Sequence, residues 1–225
     1  MIVVKRKPIN EIKNNLNKHN NIVIFGCGTC ASVCLEGGEK EAKEICGLLK
    51  LAFGKEKKSM NVYYESATRL CDVEFVNELK IKFNDVDAVL SLGCGAGIQL
   101  VSDIFKGINV YPGVNTTFLG TNDKLGQFSE KCLSCGECIL DRTGGICPVS
   151  RCSKNILNGP CGGSVNGKCE IDPDLDCAWQ LIYDRMKTLG RLNELEEIIP
   201  VKDWTVSRDG GPRRLKKEEV IIEGN

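Results

Sequence analysis

The chain has 225 residues, 42% hydrophobic and 27% charged, and its 30 lysines and arginines balance its 30 aspartates and glutamates. That length holds one large domain or two small ones, and the balanced charge argues against nucleic acid as a partner, which needs a basic surplus on some face. No apolar run approaches the roughly 18 residues of a membrane helix, so no membrane insertion is expected. The opening MIVVKRKPIN lacks the apolar core of an export signal, and the expected location is cytoplasmic.

In chain order, Pro8 suits a first helical turn and starts a short amphipathic helix over residues 8–19. The apolar run Ile22–Phe25, stopped by Gly26, reads as a buried strand. Residues 37–53 carry Ala42, Ile45, Leu48, Leu49 and Ala52 at helical spacing. A strand follows at Asn61–Glu65, then a helix from Asp72, its natural N-cap, to about Lys80. Asp87–Leu92 is a third strand, Ile98–Phe105 a helix and Ile108–Tyr111 a fourth strand. Strand and helix alternating in this way predict a parallel sheet with helices on both faces.

The glycines and Asn122 and Asp123 of residues 113–131 read as a linker. Beyond it the chain changes character, with eight cysteines between Cys132 and Cys177, two glycine pairs and no sustained periodicity. Such a segment buries too little apolar surface to fold alone, so metal is expected to organise it. An amphipathic helix follows over Ala178–Leu189, with Leu181, Ile182, Met186 and Leu189 on one side. The tail from Pro200, with Trp204, RDGGPRR and KKEE, is polar, glycine-rich and expected to lie along a partner. The expected class is α/β, in three parts. Residues 1–120 form a small Rossmann-like domain, residues 121–199 a cysteine-rich, metal-organised irregular and helical domain, and residues 200–225 a docking tail.

Fourteen cysteines in a reducing compartment point to metal or redox chemistry rather than disulfides. The single histidine, His19, lies in the polar stretch KHNN and reads as a surface residue, so any metal is held mainly by thiolates and a histidine base is not expected. Cys132-x2-Cys135-x2-Cys138 is the strongest signal. Zinc sites draw on separate cysteine pairs, whereas three cysteines at two-residue intervals open a cubane-cluster motif. The ferredoxin run ends in Cys-Pro; here eight residues separate Cys147-Pro148 from Cys138 instead of three, which leaves open the cluster that Cys147 serves. With Cys152, Cys161, Cys169 and Cys177, the eight suffice for two four-iron clusters, and equally for one cluster and one zinc site.

In the first half, Cys27, Cys30, Cys34, Cys71 and Cys94 all fall on loops that a parallel sheet sends to its carboxyl edge, where such folds bind ligands. Five are available for four positions, and Cys34, one turn inside the helix begun near Cys30, is the spare. Cys46 lies mid-helix among apolar neighbours and reads as core. Gly26-x-Gly28-x-x-Ala31 also fits a dinucleotide fingerprint, but Glu65 comes nearly twice as late as the usual acidic residue, and two loop positions are cysteines. These glycines, and Gly93, Gly95 and Gly97, are therefore read as making room for a cluster. No catalytic triad, P-loop or metalloprotease motif is present, and Glu196–Glu197 reads as solvated surface, so no catalytic residues are expected.

The stretches GCGTCASVCLEGGEKE, SLGCGAGIQ and above all CLSCGEC…TGGICPVSRCSKNILNGPCGGSVNGKCEI…CAWQLIYDRMK resemble the small iron–sulfur subunits of acetogen-type methylenetetrahydrofolate reductase, the MetV family, and the related C-terminal family of that reductase. The resemblance runs from the N-terminus through RDGGPRR. It implies an electron-transfer subunit with two or three [4Fe-4S] clusters, zinc being the alternative at one site. The partner would be a MetF-type catalytic subunit that carries the flavin FMN and the folate. The donor would be ferredoxin or a larger electron-donating complex, in the methyl branch of the Wood–Ljungdahl pathway. The rival expectation is a zinc-stabilised scaffold that docks and orients the flavin subunit.

Overall fold

A computed structural model describes residues 1–215 and 217. The chain divides into two compact units, Met1–Ser129 and Glu130–Asn225.

The first unit opens with β1 (Ile2–Arg6) and α1 (Ile9–Leu16). It continues through β2 (Asn21–Cys27), α2 (Cys30–Val33), α3 (Glu39–Lys55), β3 (Asn61–Ala67), α4 (Val73–Lys82), β4 (Ala88–Ser91), α5 (Gly95–Ile104) and β5 (Asn109–Pro112). A four-stranded sheet in the order β3-β2-β4-β5 is parallel throughout. Its central strands β2 and β4 are buried almost end to end, as strands covered on both faces must be, which is why they read as continuous apolar runs. Phe25 on β2 meets Phe83 and Phe105 edge-on, with ring centroids 5.7 and 5.4 Å away. Burying such a side chain contributes roughly 1.5–3 kcal/mol. Asp72 caps α4, its Oδ1 accepting from the Glu74 N–H at 3.3 Å. The Gly38 N–H, at the start of α3, donates to Glu41 Oε2 at 2.9 Å.

Strand order reverses at β2: β3 lies on one side of it and β4 on the other. The crevice at such a reversal is where open parallel sheets hold their ligands. The loops after β2, β3 and β4 all leave at that edge.

Two sequence expectations change. Residues 113–131 are not a linker but a hairpin, β6 (Val114–Lys124) and β7 (Gln127–Cys132), which joins β1 in a second sheet of order β1-β6-β7, with β1 antiparallel to β6. The glycines that suggested a linker serve the hairpin instead. A β-carbon on Gly120 would fall 2.1 Å from the Ser129 carbonyl oxygen, and Gly126 takes the left-handed turn at φ 74°. In this sheet β1 buries Val3 and Val4. His19 is buried, not a surface residue, and its Nε2 lies 2.9 Å from the Tyr111 hydroxyl.

The second unit has little regular structure: α6 (Pro148–Arg151), α7 (Ala178–Thr188) and short 3-10 turns at Leu192–Glu196 and Arg208–Gly210. Its small core gathers Ile146, Trp179, Ile182 and Met186. Leu189, expected on the buried side of α7, is half exposed. Residues 216 and 218–225 of the expected tail lie outside the described residues. No helix among the described residues is long and apolar enough to cross a membrane.

Candidate metal centres

Four cysteines of the first unit converge on the carboxyl edge of the parallel sheet. Cys27 ends β2, Cys30 opens α2, Cys71 precedes the α4 cap, and Cys94 caps α5. Burial pushes the Cys71 thiol above its ordinary value, and the sulfurs of Cys94, Cys27 and Cys30 act on it in the same direction. Although Cys71 counts as exposed as a residue, enough protein surrounds its sulfur for desolvation to come first.

The fifth candidate turns away. Cys34 is buried, and its Sγ lies 3.7 Å from the Ile2 carbonyl oxygen on β1. Burial raises this thiol too, and Cys30 is the one cysteine among the causes. Cys46 is core, its Sγ donating to the Val62 carbonyl at 3.4 Å.

The glycines around these cysteines make room for protein. A β-carbon on Gly28 would sit 3.2 Å from the Ala67 carbonyl oxygen, one on Gly26 2.9 Å from the Gly38 carbonyl oxygen, and one on Gly97 3.0 Å from the Leu70 side chain. Their absence lets the three loops close on one another and so gathers the cysteines. The dinucleotide reading loses its donors at the same time. The Gly28 N–H donates to the Ala67 carbonyl and the Cys27 N–H to the Gly37 carbonyl, both at 2.8 Å, and α2 is one turn long. Glu65 pairs with Lys82.

In the second unit, Cys152, Cys161, Cys169 and Cys177 line one small cavity with Lys154, Ser164, Glu170 and Trp179. Local turns bring them there. Asn166 and Gly167, both left-handed at φ 51° and 77°, close the bridge between Val165 and Lys168. The Cys169 N–H then donates to the Leu175 carbonyl at 2.9 Å, and the Cys177 N–H to the Gly167 carbonyl at 2.8 Å. Trp179, in the first turn of α7, donates through Nε1 to the Ile156 carbonyl at 2.7 Å and pins the segment after Cys152.

Two of the sulfurs here have hydrogen-bonding groups beside them. The Gly163 N–H reaches Cys161 Sγ at 3.4 Å, and Cys169 Sγ lies 3.6 Å from Ser153 Oγ. Hydrogen bonds from the Ile171 backbone and then the Ser153 hydroxyl hold the Cys169 thiol below its ordinary value, which favours the ligating form. Glu170 accepts from Cys161 Sγ at 3.4 Å and is ion-paired with Lys154.

The Cys132–Cys138 loop is shaped by Ser134 and Gly136, left-handed at φ 53° and 87°. The Ser134 N–H turns back to Cys132 Sγ at 3.3 Å. Cys147 caps α6, and the Ser150 hydroxyl of that helix donates to the Lys131 carbonyl at 2.7 Å, tying it to the start of the loop. The described part of the tail lies on this loop of its own chain. Lys202 Nζ donates to the Glu137 carbonyl at 2.6 Å, Arg213 Nη1 donates to the Ser134 carbonyl at 2.9 Å, and a β-carbon on Gly136 would fall 2.2 Å from the Val206 carbonyl oxygen.

Among the described residues, no three His, Cys, Asp or Glu side chains stand close enough to hold one metal ion. A single zinc draws its sulfurs to about 2.3 Å from one centre. A four-iron cube takes each thiolate on a different iron and spaces them more widely. The donor set in both places is thiol throughout, which suits a zinc ion or an iron–sulfur cluster alike. The sequence reading missed Lys154, Ser164, Glu170 and Lys202, which carry no spacing signature of their own.

Residues 111–205 match the family described as methylene-tetrahydrofolate reductase C terminal, a span that takes in all eight cysteines from Cys132 to Cys177. No curated protein matches the chain. Over that span, less than half of its length, the chain is therefore similar to the C-terminal family of methylenetetrahydrofolate reductase.

Proposed function

We propose that this protein is the electron-transfer subunit of a methylenetetrahydrofolate reductase, delivering electrons to the flavin of a MetF-type catalytic subunit. The observation that carries this reading is the shared cavity of Cys152, Cys161, Cys169 and Cys177, inside the span that matches the reductase C-terminal family. Cys27, Cys30, Cys71 and Cys94 form a second thiol set, and Cys132, Cys135, Cys138 and Cys147 a third. Each set would hold one [4Fe-4S] cluster, which when bound supplies one-electron transfer at a potential tuned by its surroundings.

The chain's own residues do the rest. The N–H groups of Ser134 and Gly163 lie against cysteine sulfur and stabilise negative charge there. Lys202 and Arg213 strap the first loop so that its three thiols keep their spacing. Ligands of this kind require a reducing compartment, in keeping with the cytoplasmic expectation. Ferredoxin, or a larger complex that supplies low-potential electrons, would be the donor.

Replacing Cys135 by serine tests the reading. The variant is expected to lose iron and to slow the flow of electrons from reduced ferredoxin to the flavin of the catalytic subunit. A zinc-stabilised scaffold would lose zinc and docking while wild-type protein carried no iron, and that outcome would replace the relay with the scaffold.

A further inference from the structure

Ser164 sits where sequence reasoning saw only a spacer between Cys161 and Cys169. It lines the cavity shared by Cys152, Cys161, Cys169 and Cys177. Its Oγ is closed off from solvent and has no hydrogen-bond partner among the described residues. Buried hydroxyls are rarely left in that state, because a donor removed from water and given no acceptor is costly. An acceptor foreign to the polypeptide would remove that cost, and in this cavity the acceptor its chemistry calls for is sulfur. The preceding residue points the same way, since the Gly163 N–H already lies on Cys161 Sγ at 3.4 Å.

We propose that Ser164 donates a hydrogen bond to the cluster held by Cys152, Cys161, Cys169 and Cys177, and thereby raises its reduction potential. The inference rests on the electron-transfer reading above. Reduction adds negative charge to the cluster sulfurs, so a donor aimed at them strengthens as the electron arrives and favours the reduced form. Among the described residues the hydroxyl has no acceptor. Glu170 is paired with Lys154, and the Trp179 N–H is spent on the Ile156 carbonyl.

The test is a mediated redox titration of the anaerobically purified full chain, followed by electron paramagnetic resonance. The transition of this site is identified as the one lost in Cys161→Ser. Ser164→Ala is expected to keep its iron and to shift the reduction equilibrium about tenfold toward the oxidised form, which for a one-electron couple is a fall of about 59 mV. Ser164→Thr, which keeps the hydroxyl, is expected to titrate like wild type. Should alanine disturb the fold, the pair Ser164→Thr and Ser164→Val preserves shape and differs in the hydroxyl alone, and the valine form is expected to titrate lower. Equal midpoints for hydroxyl-bearing and hydroxyl-free variants with full iron would overturn the role of Ser164. Iron and signals that survive Cys161→Ser unchanged would instead remove the cluster from this cavity, and the two failures are thus told apart.

Discussion

Lys202 Nζ donates to the Glu137 carbonyl at 2.6 Å with only 3% of the lysine side chain exposed. A residue near the end of the described chain is thus built into the loop that spaces Cys132, Cys135 and Cys138. Lys202 also approaches Glu137 Oε2 at 3.3 Å, and its ammonium stands 5.5 Å from the Trp204 ring. Removing the ammonium leaves the Glu137 carbonyl short of a donor, a loss of roughly 1 kcal/mol, while the half-exposed carboxylate keeps the Asp203 N–H at 3.3 Å. Lys202→Met is expected to lower the denaturation midpoint accordingly and to reduce the iron bound at this loop, which denaturant titration and iron assay would show. Wild-type stability and iron content in the variant would make the strap idle.

Serine scanning of the first unit separates ligands from spectators. Cys27, Cys30, Cys71 and Cys94 are each expected to be needed for the iron held at the sheet edge. Cys34→Ser and Cys46→Ser are expected to keep it, since both thiols are turned to backbone carbonyls elsewhere. Loss of iron in Cys34→Ser with retention in Cys71→Ser would exchange their roles.

His19 provides the pH dependence. Burial first, then the charge of Lys18, holds its imidazole below the ordinary value of 6.5, while the charge of Asp87 works the other way. Below pH 6.5 the unfolded chain binds the proton more readily than the folded one, so stability falls as pH drops from that point through the folded value. The chain has one histidine, and its imidazole resonance can be followed by nuclear magnetic resonance without assignment. The expected midpoint is below 6.5; a midpoint above it would contradict the buried placement.

Ile198 and Val201 are 98% and 93% exposed, an unusual pair of bare apolar side chains just before the strap. They are the expected contact for the flavin subunit, more so than Trp204 and Arg213, which the chain uses internally. Ile198→Asp with Val201→Asp is expected to weaken binding to that subunit about tenfold or more with iron unchanged, measurable by calorimetry on the purified partners. Undiminished affinity would move the docking face elsewhere.

The parallel sheet was legible in the sequence because its central strands are covered on both faces and so appear as unbroken apolar runs, while Asp72 marks a helix start by its side-chain chemistry. The hairpin of β6 and β7 was not, because its glycine and asparagine residues have the composition of a linker and act only through cross-strand approach, as Gly120 does against Ser129. His19 misled in the same way: its sequence neighbours are polar, and the contact that buries it, Tyr111, is 92 residues away. The convergence of Cys27, Cys30, Cys71 and Cys94 followed from topology, since every strand of a parallel sheet ends at one edge. The positions of Ser164 and Lys202 depend on the folding of irregular loops that periodicity does not describe.

The central claim is that these thiols hold iron–sulfur clusters, and the most direct measurement is iron, zinc and acid-labile sulfide in protein purified without oxygen. Three four-iron clusters, one for each set of thiols, require about twelve iron atoms per chain and as many sulfides. Colourless protein with zinc and no sulfide would contradict the account.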